Sequence, residues 1–237
     1  MISNKVAVDR DVDQLYEELR NRYGSNNPRA NGYLYEGYFR REQSLLFPLL
    51  NSEADVLVDV ACGSGLMIQP LIDKRTQVIG IDFNADACSA ARRNGLTVIR
   101  GDAFSLPLAN ASIDEIISCQ FFNQQQASAV QHFIAETARV LRPGGRVIMV
   151  WRNGTSLIHR LALLCLGLVG KLRRVPSFPH ENHHHGSIRS YAENAGLTVV
   201  SQAVSFPPSG WMSPAIDSVL AHIIGTSNIC VLEKFSE

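Results

Sequence analysis

Three short stretches combine residue types that can hold a nucleoside. The run DVACGSG, Asp59 to Gly65, closes an apolar segment with two glycines one residue apart. Glycine lets the backbone turn tightly and approach a ligand with no Cβ in the way. Asp82 ends the next apolar run, about 20 residues further on, where a carboxylate can accept both hydroxyls of an adenosine ribose. Asp82 or Asn84 can equally cap the helix that follows. Gly101-Asp102-Ala103 ends a third run, and a carboxylate there can accept from the exocyclic amine of adenine. Taken alone, a Gly-x-Gly is a turn demanded by sterics and an aspartate is a turn residue. Their recurrence at three consecutive strand ends is what points to a ligand.

The elements that must position these residues follow from hydrophobic rhythm. Short apolar bursts recur at VLVDVA from Val56, at Thr76 to Phe83, Leu96 to Asp102, Ile113 to Gln120 and Gly145 to Trp151. Continuous apolar runs of this length, separated by helix-sized segments, indicate buried parallel strands. Helices are expected from Ala85 to Gly95, stopped by that glycine, and from Gln125 to Leu141, ended by Pro143-Gly-Gly145. Ser187 to Ala195 and Pro214 to Gly225 read as further helices, and Leu197 to Phe206 and Asn228 to Phe235 as strands. Alternation of this kind implies right-handed crossovers and a doubly wound α/β sheet. Residues 1–50 read as an N-terminal helical cap or lid, and 51–237 as the main domain with an irregular acceptor-side insertion at about 152–186.

Composition narrows the partners. The 237 residues carry 22 Lys plus Arg against 22 Asp plus Glu, a net charge of zero with no general pull toward nucleic acid or an anionic membrane. Five widely spaced cysteines without a CxxC pair suit reduced, buried thiols in a cytoplasmic protein. The polar start has no signal-peptide core, and the longest apolar run, Leu161 to Val169, is too short to span a bilayer.

The order VDVACGSG, GIDFN, GDAFSLPLANASIDEIIS, LRPGGRVIMVW, over about Asp55 to Trp151, resembles the class I S-adenosylmethionine (SAM)-dependent methyltransferases. Within them it is similar to the small-molecule branch that includes ubiquinone/menaquinone-type methyltransferases. The resemblance implies a Rossmann-like, seven-stranded, mostly parallel sheet with helices on both faces and the last strand antiparallel. It implies SAM as cofactor and a small, lipophilic or quinone-like acceptor. It further implies that Asp59, Ala61, Gly63 and Gly65 line the methionine part, that Asp82 holds the ribose with Phe83 against the adenine, and that Asp102 and Ala103 flank the adenine edge. Cys119 and Gln120 then sit near the transferred methyl. Two features depart from the family pattern: Cys62 in the glycine loop, and Gln120-Phe121-Phe122-Asn123, which lacks a His common after this strand.

The acceptor side is less legible. Tyr33, Tyr35, Tyr38 and Phe39 form an aromatic group that either packs the cap or closes over the ligands as a lid. His183, His184 and His185 read as a surface loop, as one acceptor-side histidine (His184 or His185, by resemblance) or as a metal site; adjacent histidines cannot all point one way, and no metal is expected. The stretch Ile158 to Val169, followed by Lys171, Arg173 and Arg174, is either a buried helix or a surface for peripheral membrane or lipid contact.

Two rival readings use the same glycine-acid logic. An NAD-type oxidoreductase requires a third glycine, whereas Gly65 is followed by Leu66-Met67-Ile68. A non-catalytic SAM-binding regulatory subunit would keep the same cofactor residues. A nucleic-acid acceptor is disfavoured, because there is neither a basic excess nor an Asn/Asp-Pro-Pro-Tyr-type motif. Whether O, N, C or S receives the methyl, whether a general base acts, and the oligomeric state are not written in the chain.

Overall fold

The computed structural model describes residues 10–33, 36–74, 77–153, 156–157, 183–205 and 227–235, with backbone alone at 10–13, 124 and 205. Among the described residues seven strands form one sheet: β1 (Val56–Val60), β2 (Gln77–Asp82), β3 (Thr97–Arg100), β4 (Ile113–Cys119), β5 (Leu141–Arg152), β6 (Leu197–Ser205) and β7 (Ser227–Lys234). Their order is β3-β2-β1-β4-β5-β7-β6. The pairs among β1 to β5 are parallel, while β7 runs antiparallel to both β5 and β6. This is the Rossmann-like sheet with an antiparallel final strand that the sequence predicts.

Alternation within the strands sends residues into two cores. Val58, Val60, Ile116, Met149 and Cys230 face one, with helices α4 (Ala127–Val140) and α5 (His185–Asn194) packed over them. Leu57, Ile117, Ile148, Val150 and Ile229 face the other, beneath α2 (Glu36–Leu46) and α3 (Ala85–Arg93). Burying each such side chain contributes about 1.5–3 kcal/mol, which is why these strands read as unbroken apolar runs. At the amino ends of the strands two buried acids are paired: Asp114 with Arg142 at 2.6 Å and Glu115 with Arg146 at 3.3 Å. That end is closed by ion pairs and leaves the carboxyl ends for function.

Boundaries differ locally from expectation. The glycine turn leads into a 3₁₀ helix, Gln69–Lys74, because Pro70 has no amide proton to extend an α-helical ladder. Strand β5 begins at Leu141, which pairs with Ile113, and a register shift then carries the chain through Pro143-Gly144-Gly145. Gly145 could carry no side chain, since a Cβ would stand 2.9 Å from the Arg142 carbonyl. The expected helix at 214–225, Cys165 and most of the 152–186 insertion lie outside the described residues.

The cap comprises α1 (Arg10–Tyr23), a 3₁₀ turn at Pro28–Asn31, and α2. Gln43 ties it to the loop after β1, donating to the carbonyls of Leu66 and Met67 at 3.1 and 2.9 Å. Arg20 donates to Asn84 Oδ1 at 3.3 Å, fastening α1 above the end of β2.

Candidate active site

Strand β1 lies between β2 and β4, so crossovers leave it in opposite directions and a crevice opens at the carboxyl ends. A cleft occupies this switch point. Its wall takes Asp59, Ala61, Cys62 and Gly63 from β1 and its loop, Asp82 and Phe83 from β2, and Asp102 and Ala103 from β3. Cys119 and Gln120 come from the end of β4, and Tyr16, Arg20, Asn31, Tyr33 and Phe39 from the cap.

The loop is shaped by left-handed backbone: Ala61 and Gly63 have φ of 62° and 57°. The Ala61 and Cys62 amides donate to the Ile81 carbonyl at 2.8 and 3.1 Å, folding the loop over β2. Asp82 Oδ2 accepts from the Gly63 amide at 2.8 Å and Oδ1 from the Asn84 amide at 2.9 Å. A backbone donor on each oxygen fixes the carboxylate at the cleft wall. Asn84, not Asp82, caps α3, accepting from the Asp86 and Ala87 amides at 3.0 Å each. The cap reading of this segment therefore falls to Asn84.

Asp59 is buried, and its Oδ2 has no hydrogen-bond partner. Burial first, then the charge of Asp82, pushes its carboxyl well above the ordinary range. An unpartnered buried carboxylate oxygen on a cleft wall is costly unless a donor or cation meets it. The α-amino group of a methionine moiety is such a cation, so the donor set fits SAM.

At the inner end stands Glu42 of α2, 2% exposed. Tyr33 donates to its Oε2 at 2.8 Å; Ser227 at 2.6 Å and the Gln120 amide donate to Oε1. Tyr38 Oη lies 2.5 Å from Ser227 Oγ. Asn123 Nδ2 donates to Gln120 Oε1 at 2.6 Å and its Oδ1 accepts from the Arg152 amide at 2.7 Å. One carboxylate thus fastens the cap to the ends of β4 and β7. Burial raises the Glu42 carboxyl, against the lowering effect of these donors and of Arg152.

Residues 58–149 match the family model for a methyltransferase domain. The match assigns a methyltransferase domain to this part of the chain. The demethylmenaquinone methyltransferase of Thermobifida fusca is 28% identical over 147 residues, covering 59% of this chain and 60% of that protein, less than two thirds of its length. That of Corynebacterium kroppenstedtii is 23% identical over 220 residues, covering 90% and 93%. Among solved structures, a SAM-dependent methyltransferase from Archaeoglobus fulgidus superposes with a TM-score of 0.64 at 14% identity, covering 84% of this chain and 95% of that one. Magnesium protoporphyrin IX methyltransferase from Synechocystis, solved with S-adenosylhomocysteine (SAH), gives 0.59 at 16% identity, covering 84% and 82%.

The residues that the sequence assigns to a cofactor gather at one cleft, with one exception. Gly65 (φ 76°) turns away from it, and a Cβ there would lie 2.9 Å from Leu96. Its requirement for glycine is packing. Phe83 lines the cleft, half-exposed, with the Arg100 guanidinium 5.9 Å from its ring. Cys62 fits because residue 80 is glycine: a Cβ on Gly80 would stand 2.7 Å from the Cys62 sulfur.

The acceptor-side residues divide. Tyr33 lines the cleft, its ring edge-on to Phe39 with centroids 5.0 Å apart. Tyr35 lies outside the described residues. His183 is buried rather than on a surface loop: Nε2 lies 2.9 Å from the Phe122 carbonyl, and Trp151 donates to its own carbonyl at 3.0 Å. His184 is exposed ahead of α5, and His185 Nε2 sits 3.1 Å from Asn228 Oδ1. Neither is among the described residues lining the cleft. Among the described residues no cluster of His, Cys, Asp or Glu is arranged to hold a metal. Sequence reasoning missed Glu42, although Phe39, Glu42 and Leu46 follow the i, i+3, i+7 spacing of one buried helical stripe. An acid on such a stripe is a signal in itself.

Proposed function

We propose that this cleft binds SAM and that the enzyme transfers its methyl group to a small, lipophilic, quinone-like acceptor. The observation that carries the reading is the meeting of Asp59, Gly63, Asp82 and Asp102 from three strand ends around one cleft at the switch point. Asp82 receives the ribose hydroxyls, Phe83 the adenine face, and Asp102 with Ala103 the adenine edge. Ala61 and Gly63 bring backbone against the methionine part, and Asp59 meets its amino group. When bound, SAM supplies an activated methyl on a sulfonium, so the protein's task is positioning and exclusion of water.

The acceptor is assigned to the inner end, between Cys119 and Gln120 on one side and Tyr33 and Phe39 on the other. The apolar rings suit a lipophilic body, and relatives covering 90% of this chain bear the name demethylmenaquinone methyltransferase. Cap residues Tyr16, Arg20, Asn31 and Tyr33 then serve as a lid. A cytoplasmic location is assigned from the widely spaced cysteines without a CxxC pair; the 158–169 stretch, a buried helix or a lipid-contact surface by sequence, lies outside the described residues.

An NAD-type reading fits less well. A dinucleotide pyrophosphate is held at the amino end of an α-helix directly after the glycines. Here a 3₁₀ turn starting at Gln69 follows instead. Incubation with methyl-labelled SAM and 2-prenyl-1,4-naphthohydroquinone, kept reduced, tests the proposal. Labelled product with stoichiometric SAH supports it. SAH binding without turnover of this or any related hydroquinone supports the non-catalytic subunit.

A further inference from the structure

Glu42 is a buried acid one hydrogen bond behind the cleft wall, and the cofactor assignment does not use it. The Tyr38 hydroxyl and the Arg152 charge act on it, and three neutral groups donate to it: the hydroxyls of Tyr33 and Ser227 and the amide of Gln120. Two of these three, Tyr33 and Gln120, themselves line the cleft beside Cys119. The charged and titratable groups that act on this cluster are Tyr38 of α2, Cys119 of β4, Arg152 of β5 and, across the cleft, Asp59 of β1. Since Tyr33 spends its hydrogen on Glu42, its oxygen can meet a ligand only as an acceptor. A ligand group placed there must be a donor, such as a hydroxyl.

We propose that Glu42 stores the proton that methyl transfer releases, receiving it through Tyr33 from an acceptor that carries an ionisable hydroxyl. The inference rests on the SAM-dependent reading above. In the balanced step the methyl–sulfur bond breaks with its electron pair left on sulfur, and a bond forms from the acceptor to the methyl carbon. The acceptor's hydroxyl proton passes to Tyr33 Oη as the Tyr33 proton passes to Glu42 Oε2. A sulfonium and a carboxylate thereby become a neutral sulfide and a neutral carboxyl. In a buried site the first pair attracts strongly, and the second carries no unbalanced charge. Glu42 is thus a positioning and proton-storing residue, and Tyr33 is the group that touches the acceptor.

The end states can be measured without the acceptor, because SAM carries the sulfonium and SAH the sulfide. The affinities of the full chain for SAM and for SAH are titrated from pH 5 to pH 8, in the wild type and in Glu42→Gln. The sulfonium favours the carboxylate form, so the preference for SAM over SAH rises with pH in the wild type, by about tenfold for each unit by which the two ligands separate the Glu42 pKa. The amino group that Asp59 meets is common to both ligands, so its titration cancels in the ratio. In Glu42→Gln the ratio is flat while SAH still binds. A flat ratio in the wild type overturns the proposal whether or not the variant folds, and so does a slope that survives in Glu42→Gln. Absence of binding by either ligand in the wild type instead overturns the SAM-dependent reading itself.

Discussion

The Asp82 carboxylate accepts a hydrogen bond from the Gly63 amide at 2.8 Å, so the end of β2 holds the glycine turn after β1 in shape. The residue proposed to bind the ribose is also the one that sets the loop against which the methionine part rests. Two distant sequence motifs therefore act as one unit.

Replacement of Asp82 should reveal that double role. Asp82→Ala removes a charged acceptor for the ribose and releases the Gly63 amide. Each lost hydrogen bond to a charged group is worth about 1.5–3 kcal/mol. SAH affinity measured by calorimetry should fall by at least tenfold, and Asp82→Asn should recover only part of it. Unchanged affinity in Asp82→Ala would sink the ribose assignment.

Gly63 tests the loop from the other side. Its φ of 57° is costly for a β-branched residue, and a Cβ would meet Asn31 Oδ1 at 3.1 Å. Gly63→Val should abolish SAH binding while far-UV circular dichroism remains that of the folded protein. A variant that binds SAH normally would refute the placement of the loop.

Gly80 and Cys62 should be coupled in stability. A Cβ at position 80 would lie 2.7 Å from both the Cys62 sulfur and Leu96. Gly80→Ala should lower stability in urea by about 1–3 kcal/mol, the usual cost of overpacking. Cys62→Ala in the same chain should restore part of that loss, and strict additivity of the two changes would contradict the contact.

Away from the site, Glu136 offers a pH test. Arg139 holds it below the ordinary carboxylate range, with burial opposing and the Leu106 amide assisting. A carboxyl lowered on folding stabilises above its unfolded pKa, and that stabilisation is lost as pH falls through the folded value. Glu136→Gln should therefore melt below the wild type at pH 7, and the difference should shrink progressively below about pH 4. A gap in melting temperature independent of pH would argue for a packing effect alone.

Periodicity carried most of the fold, because strands buried on both faces leave unbroken apolar runs such as VLVDV and IDEIISC. The cleft was legible for a related reason: crevices in such sheets open at strand carboxyl ends, and Gly63, Asp82 and Asp102 each punctuate one. Gly65 misled, since packing against Leu96 demands glycine as strictly as a ligand does. The inner end of the cleft was harder to read because its parts lie far apart in sequence: Glu42 meets Ser227 across 185 residues and Gln120 across 78. The three histidines drew attention by adjacency, yet only the structure separates the buried His183, bonded to the Phe122 carbonyl, from the exposed His184.

The most direct test of the central claim is calorimetric titration of the purified chain with SAH, with NAD run in parallel. The account predicts saturable binding of SAH at one molecule per chain and none of NAD. Binding of NAD alone, or of neither ligand, would contradict it.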